Sequence, residues 1–107
     1  MVIPSGDKEF LVTQALPYFR VRRVVLRTDP GTKEWPDIWV DPHADPPVIT
    51  VTETWRRKPL HSRRSELVHE LLHLKGLEHG TYDGLVYSTL PQLDTYSKAV
   101  YRRLLSG

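Results

Sequence analysis

Residues 62 to 76 read SRRSELVHELLHLKG, and no other stretch limits the fold so tightly. Leu67, Leu71 and Leu74 return at intervals of three and four, with Val68 and Leu72 beside them. That period belongs to a helix and conflicts with the two-residue alternation of a strand. Ser62 stands where an N-cap belongs, with Ser65 and Glu66 in the turn that follows. Gly76 stands where the helix should stop, because glycine accepts a positive φ without a Cβ clash. A helix with one apolar stripe has to lay that stripe against other elements. The sequence therefore predicts a long amphipathic helix over 62–75 as the centre of the fold.

Its partners can be read from the rest of the chain. Ser5 to Leu16 has a cap at Ser5 or Asp7 and apolar residues Phe10, Leu11, Ala15 and Leu16 at helical spacing; Pro17 is expected to end it. Residues 19 to 28, FRVRRVVLRT, carry the β-branched enrichment of a strand, and Asp29-Pro30-Gly31-Thr32 reads as a turn. Residues 37–41 form a second short strand fenced by Pro36 and Pro42, and Val48 to Thr52 a third. After a loop from Gly80 to about Pro91, a last helix over 92–105 is expected to bury Leu93, Ala99, Val100, Leu104 and Leu105. The expected fold is α+β: a small three-stranded sheet packed against the central, zinc-binding helix, with helices at both ends of the chain. With 107 residues, 39% apolar and 26% charged, the whole of 1–107 fits one globular domain. The amino terminus lacks the pattern of a signal peptide, and no segment nears the ~18 apolar residues of a membrane span. The expectation is a soluble, cytoplasmic protein without a membrane partner.

The same helix carries the chemistry. Residues 69 to 79 read H-E-L-L-H-L-K-G-L-E-H. His69 and His73 fall one turn apart on one face, ~6 Å along the axis, so both imidazoles can reach one metal ion. Glu70 is turned about 100° around the helix from His69 and stands beside the metal, where it can accept a proton from water that the metal polarises. The turn at Gly76 brings His79 back as a third ligand, which leaves a fourth position open, as a catalytic zinc site requires. The chain has no cysteine, so thiolate ligands, disulfides and a cysteine nucleophile are excluded, and a closed structural zinc site lacks its usual donors. No Glu follows Glu78 and no His follows His79, which makes His79 the simplest third ligand; Asp83 and Asp94 are the only carboxylates downstream.

The HExxHxxGxxH stretch resembles that of zincin metallopeptidases. The full pattern is similar to that of metzincins, but those follow it with a methionine turn; here the only methionine is Met1, and Leu85-Val86-Tyr87-Ser88 occupies the corresponding place. Chain length, element order and the three histidines resemble the minimal zincins called minigluzincins, whose fold is similar to the catalytic domains of certain membrane peptidases. The resemblance implies a zinc-dependent endopeptidase acting on peptides or unfolded proteins. His69, His73 and His79 would hold the zinc, and Glu70 would be the general base. It also implies latency, through the segment after His79 or through self-association. In such a site Tyr87, and less directly Tyr82 or His61, would steady the oxyanion of the tetrahedral intermediate. Asp83 or Asp94 would orient a ligand histidine. The segment Val48 to Glu53 would offer an edge strand to an extended substrate.

A second resemblance runs to small metal-dependent endoribonucleases of ribosomal RNA maturation, which carry a similar three-histidine run but have glycine at the place of Glu70. The basic clusters Arg20-Val21-Arg22-Arg23, Arg56-Arg57-Lys58 and Arg63-Arg64 keep this reading as the alternative, with nucleic acid the second choice of partner. A net charge of +2 gives only a weak overall field, so the plainer reading of those clusters is solvated surface.

Overall fold

The computed structural model describes residues 2–31, 37–76, 81–82, 85–86 and 90–106, with residues 81–82, 85–86 and 90–94 as backbone. The central helix is α4 (Leu60–Leu74). Leu67, Val68, Leu71 and Leu72 are fully buried on it, so the stripe anticipated from the leucine spacing is the face that meets the core. Each such side chain contributes roughly 1.5–3 kcal/mol of hydrophobic stabilisation.

The ends of α4 differ from each other in how well the sequence announces them. At the carboxyl end Gly76 has φ 90°, and its amide donates to the carbonyl of His73, the glycine stop that the sequence predicts. At the amino end Ser62 is not the cap. The helix begins two residues earlier, with Pro59 in the N-cap position and no side-chain cap bond. Proline's fixed φ suits that place, and its carbonyl accepts from the Arg63 amide. Ser62 lies inside the first turn, where its carbonyl accepts from the Ser65 hydroxyl.

The N-terminal segment is helical through residue 19, past the proline expected to stop it. It consists of α1 (Ser5–Phe10), a π-helical turn (Leu11–Ala15) and α2 (Leu16–Phe19). In the wider turn the Leu16 amide reaches back to the Leu11 carbonyl. This shift of register accommodates a ring at Pro17 that an unbroken α-helix would meet as a clash. The Thr13 hydroxyl, which donates to the Glu9 carbonyl, favours the same distortion. Arg20, in the left-handed region at φ 55°, closes the segment. The strand expected over 19–28 is therefore shorter: its first residues belong to the helix and its cap.

Three strands form one mixed sheet in the order β1-β3-β2: β1 (Val25–Thr28), β2 (Ile38–Asp41) and β3 (Val48–Val51). β1 runs parallel to β3 and β2 antiparallel to it. The register aligns Leu26, Ile49 and Val40 across one face, while Arg27, Thr50 and Trp39 share the other. β3 is thus the central strand, buried at Ile49, Thr50 and Val51. The edge-strand role anticipated for residues 48–53 is ruled out, because both of its hydrogen-bonding sides already have partners.

A one-turn helix, α3 (Glu53–Arg56), follows at once, capped by the Thr52 side chain. It plants Trp55 in the core, where the indole N–H donates to the Arg63 carbonyl at 3.2 Å. Two short antiparallel strands, β4 (Thr81–Tyr82) and β5 (Leu85–Val86), interrupt the stretch expected to be loop. Finally α5 (Leu90–Leu105) packs along α4. Among its described side chains the buried ones are Ser97, Val100 and Tyr101, with Leu104 partly covered; Ala99 and Leu105 are exposed, contrary to the face anticipated from apolarity alone, and the Leu93 side chain lies outside the described residues. The fold is a small α+β domain, and no helix among the described residues is long and apolar enough to cross a membrane.

Candidate metal centre

His69, Glu70 and His73 sit in the last two turns of α4, between leucines that anchor the same helix in the core. One ligand atom from each lies within 4.8 Å of the others. The two imidazoles meet edge to face, with centroids 4.6 Å apart and an interplanar angle of 71°. Their Nε2 atoms are 2.9 Å apart. His69 and Glu70 are buried, at 6% and 7% exposure, and His73 is half-buried.

The i, i+4 spacing explains the histidine pair: rings on successive turns of a helix face overlap when both lean toward its amino end. The leucines at 67, 71 and 72 fix the rotation of the helix and so fix where this pair points. Two nitrogens bound to one zinc at ~2.0–2.1 Å each stand about 3.3 Å apart at a tetrahedral angle. The observed separation differs from that by a few tenths of an ångström, which a small ring rotation supplies. Two imidazole nitrogens form a donor pair that suits zinc and other borderline divalent ions, and the Glu70 carboxylate lies beside them. The residues present fit a metal ion.

The other residues singled out from the sequence divide into two groups. His79, Tyr87 and Asp83 lie outside the described residues. Tyr82 falls in β4 and Asp94 in the first turns of α5, their side chains outside the description. His61 is described, and it is in the wrong place for the role considered. It lies eight residues before His69, about 12 Å along the helix axis. There its Nδ1 is 2.6 Å from the Tyr101 hydroxyl. It cannot steady an oxyanion beside His69 and His73.

The sequence reading missed a polar cluster near the start of α4. Asp7, fully buried on α1, accepts from Arg63 Nε at 2.7 Å and Arg64 Nε at 3.0 Å. Arg63 also donates to the Lys58 carbonyl. The Arg64 guanidinium lies 5.6 Å from the Phe10 ring centroid, in cation–π range. Gly6 makes room for it, because a Cβ there would come within 2.9 Å of Arg64 Nη2. Lys58 in turn bridges Asp37 at 2.6 Å and Glu66 at 2.8 Å. Burial alone would pull the Lys58 ammonium down, but its hydrogen bonds to Asp37 and Glu66 hold it above the usual lysine value. These pairs tie α1, the start of β2 and the loop before α4 to one helix, and so set the frame in which His69 and His73 are held.

Compared with described protein families, with curated proteins and with solved structures, the chain matches none.

Proposed function

We propose that this protein is a metal-dependent hydrolase of peptide bonds, with a divalent ion, zinc by the chemistry of its donors, held at the carboxyl end of α4. The observation that carries the reading is the convergence of His69, Glu70 and His73 within 4.8 Å. It is joined to a sequence in which His79 follows at the spacing of a third ligand. An ion held there would supply Lewis acidity and a water that loses its proton near neutral pH. His69 and His73 present neutral ring nitrogens and fix the position of the site through the helix. Glu70, next to the first ligand and buried, takes up the proton and returns it to the departing amine nitrogen. Tyr87 remains the proposed donor to the oxyanion, on its sequence position alone.

The charged surface favours peptide over RNA as substrate. Of the three basic clusters, two are paired with carboxylates within the fold: Arg56 and Arg57 with Glu53, Lys58 with Asp37 and Glu66, and Arg63 and Arg64 with Asp7. Arg20, Arg22 and Arg23 remain exposed. Three cations on one loop give little of the phosphate-tracking surface that RNA binding draws on.

The test is cleavage of casein, beside a labelled RNA, by zinc-loaded protein and by its Glu70→Ala variant. Casein cleavage by the wild type, lost in a variant that still binds zinc, is the expected result. Full activity in the variant would remove Glu70 as the base, and cleavage of RNA alone would replace the peptidase reading. Latency belongs to the same proposal, but truncation is not its test. α5 supplies Val100 and Tyr101 to the core, so a chain cut after His79 loses part of that core. Paired Leu85→Ser and Val86→Ser substitutions leave α5 and Tyr87 in place; a rise in casein cleavage is the result that latency requires, and unchanged activity counts against it.

A further inference from the structure

The antiparallel packing of α4 and α5 leaves a second cleft at the opposite end of α4 from the histidine pair. It encloses about 350 Å³ and is lined by His61, Ser62 and Ser65 from α4 and by Lys98, Tyr101 and Arg102 from α5, with Leu105 at its mouth. The lining has a consistent character. Lys98 and Arg102, one turn apart on α5, bring eight N–H donors. Among the described residues neither cation has a carboxylate partner, unlike Lys58, Arg63 and Arg64 nearby. Ser62 adds a hydroxyl, that of Ser65 being given to the Ser62 carbonyl, and among the described residues no acidic side chain lines the cleft.

The wall of the cleft is built rather than incidental. Tyr101 is buried, wedged edge-on against Phe10 with centroids 5.5 Å apart, and its hydroxyl holds the His61 ring by the 2.6 Å bond to Nδ1. The amino end of α4 reaches the same place. It has no side-chain cap, and its partial positive charge adds to that of the two cations.

We propose that this cleft binds a small phosphorylated molecule, its phosphate held between Lys98, Arg102 and the first turn of α4. A guanidinium fork and an ammonium match phosphate oxygens, which accept from several donors at once. The volume exceeds what a lone phosphate fills and falls at the lower end of the range for small-molecule sites. The Tyr101 ring and Leu105 offer apolar cover to the organic remainder. The site is separate from the proposed metal centre and does not depend on it.

The experiment is calorimetric titration of the metal-free 107-residue chain with pyrophosphate and with phenyl phosphate, at low and at about 0.3 M salt. Removing metal matters because phosphate is itself a metal ligand. Saturable binding that weakens with salt is expected. The Lys98→Gln/Arg102→Gln double variant, both positions exposed, should bind about ten- to a hundredfold more weakly. Ser62→Asp provides a variant that protects the fold: a carboxylate in the first turn suits the helix dipole but repels the ligand, so it should lose binding while melting no lower than wild type. An Arg22→Gln/Arg23→Gln variant should bind as wild type does. Undiminished affinity in the Lys98/Arg102 or Ser62 variants overturns the proposal, as does the absence of saturable binding to the wild type. Single-stranded RNA that binds through Lys98 and Arg102 while both small phosphates fail would replace the small-molecule ligand.

Discussion

Replacing Asp7 with Ala tests the physical frame that holds the His69, Glu70 and His73 cluster. The Asp7 side chain is 1% exposed and is shared by two guanidiniums, Arg63 at 2.7 Å and Arg64 at 3.0 Å, which are 14% and 19% exposed. The wild-type cluster carries one negative charge against two positive ones. Removing the carboxylate leaves two adjacent cations, largely out of water, with no counter-charge. Breaking a buried pair in this way typically costs about 3–5 kcal/mol. The arginines reach solvent at their edges and can turn toward it, so the lower end, about 3 kcal/mol, is the expected loss. For a domain near this size that is a fall in Tm of roughly 12–24 °C. Urea unfolding followed by far-ultraviolet circular dichroism and by Trp fluorescence measures it, and a shift of midpoint at constant slope shows that stability alone has changed. Asp7→Leu combined with Arg63→Met and Arg64→Met removes all three charges together and should recover most of the loss, because an apolar set of similar volume avoids the desolvation cost. A loss below about 1 kcal/mol in Asp7→Ala, the usual worth of a surface pair, would show that the cluster is solvated and the frame argument wrong.

Zinc added at a hundredfold excess over its Kd should raise stability by about 2.7 kcal/mol, seen as a higher Tm in wild type and absent in His73→Ala. Gly76→Ala should cost about 1–2 kcal/mol by urea titration. Among the described residues nothing lies within 4 Å of where its Cβ would stand, so the effect comes from the φ of 90°. Burial pushes the Tyr101 phenol above its ordinary value near 10, with the Arg64 charge drawing it partly back. The folded state therefore holds the Tyr101 proton more tightly than the unfolded chain. That stabilisation is fully present below about pH 10 and disappears as pH rises through the folded value. The difference in unfolding midpoint between wild type and Tyr101→Phe should accordingly narrow above pH 10, and a constant difference would remove the phenol from the argument.

The parts of the fold legible in the sequence are those governed by local rules. α4 and its glycine stop could be read because leucine spacing and a positive φ are properties of a few neighbouring residues. The same rule placed His69, Glu70 and His73 together, since a helix fixes the relation of residues one turn apart whatever surrounds it. Pro17 misled because a ban on proline within an α-helix assumes α-helical register, and the π turn at 11–15 changes that register. The position of β3 was illegible for a different reason. Its run of Val, Ile, Thr and Val states that it is a strand but not whether one or two neighbours will claim its edges.

Charge was the least legible property, and it bears most on function. Arg63 and Arg64 read as a basic patch only while their counter-ion, 56 and 57 positions earlier, goes unseen. Asp7, read as a cap, spends its charge on them instead. Lys98 and Arg102 attracted no notice, since a lysine and an arginine toward the end of a helix match the helix dipole. The fold reverses both assignments: it pairs the clustered cations with carboxylates and, among the described residues, leaves a scattered pair unmatched across from the uncapped start of α4. A basic cluster in sequence therefore says little about where an anion binds in this protein. The surplus positive charge lies where carboxylates are missing, and only the packing of α1 and α5 against α4 decides that.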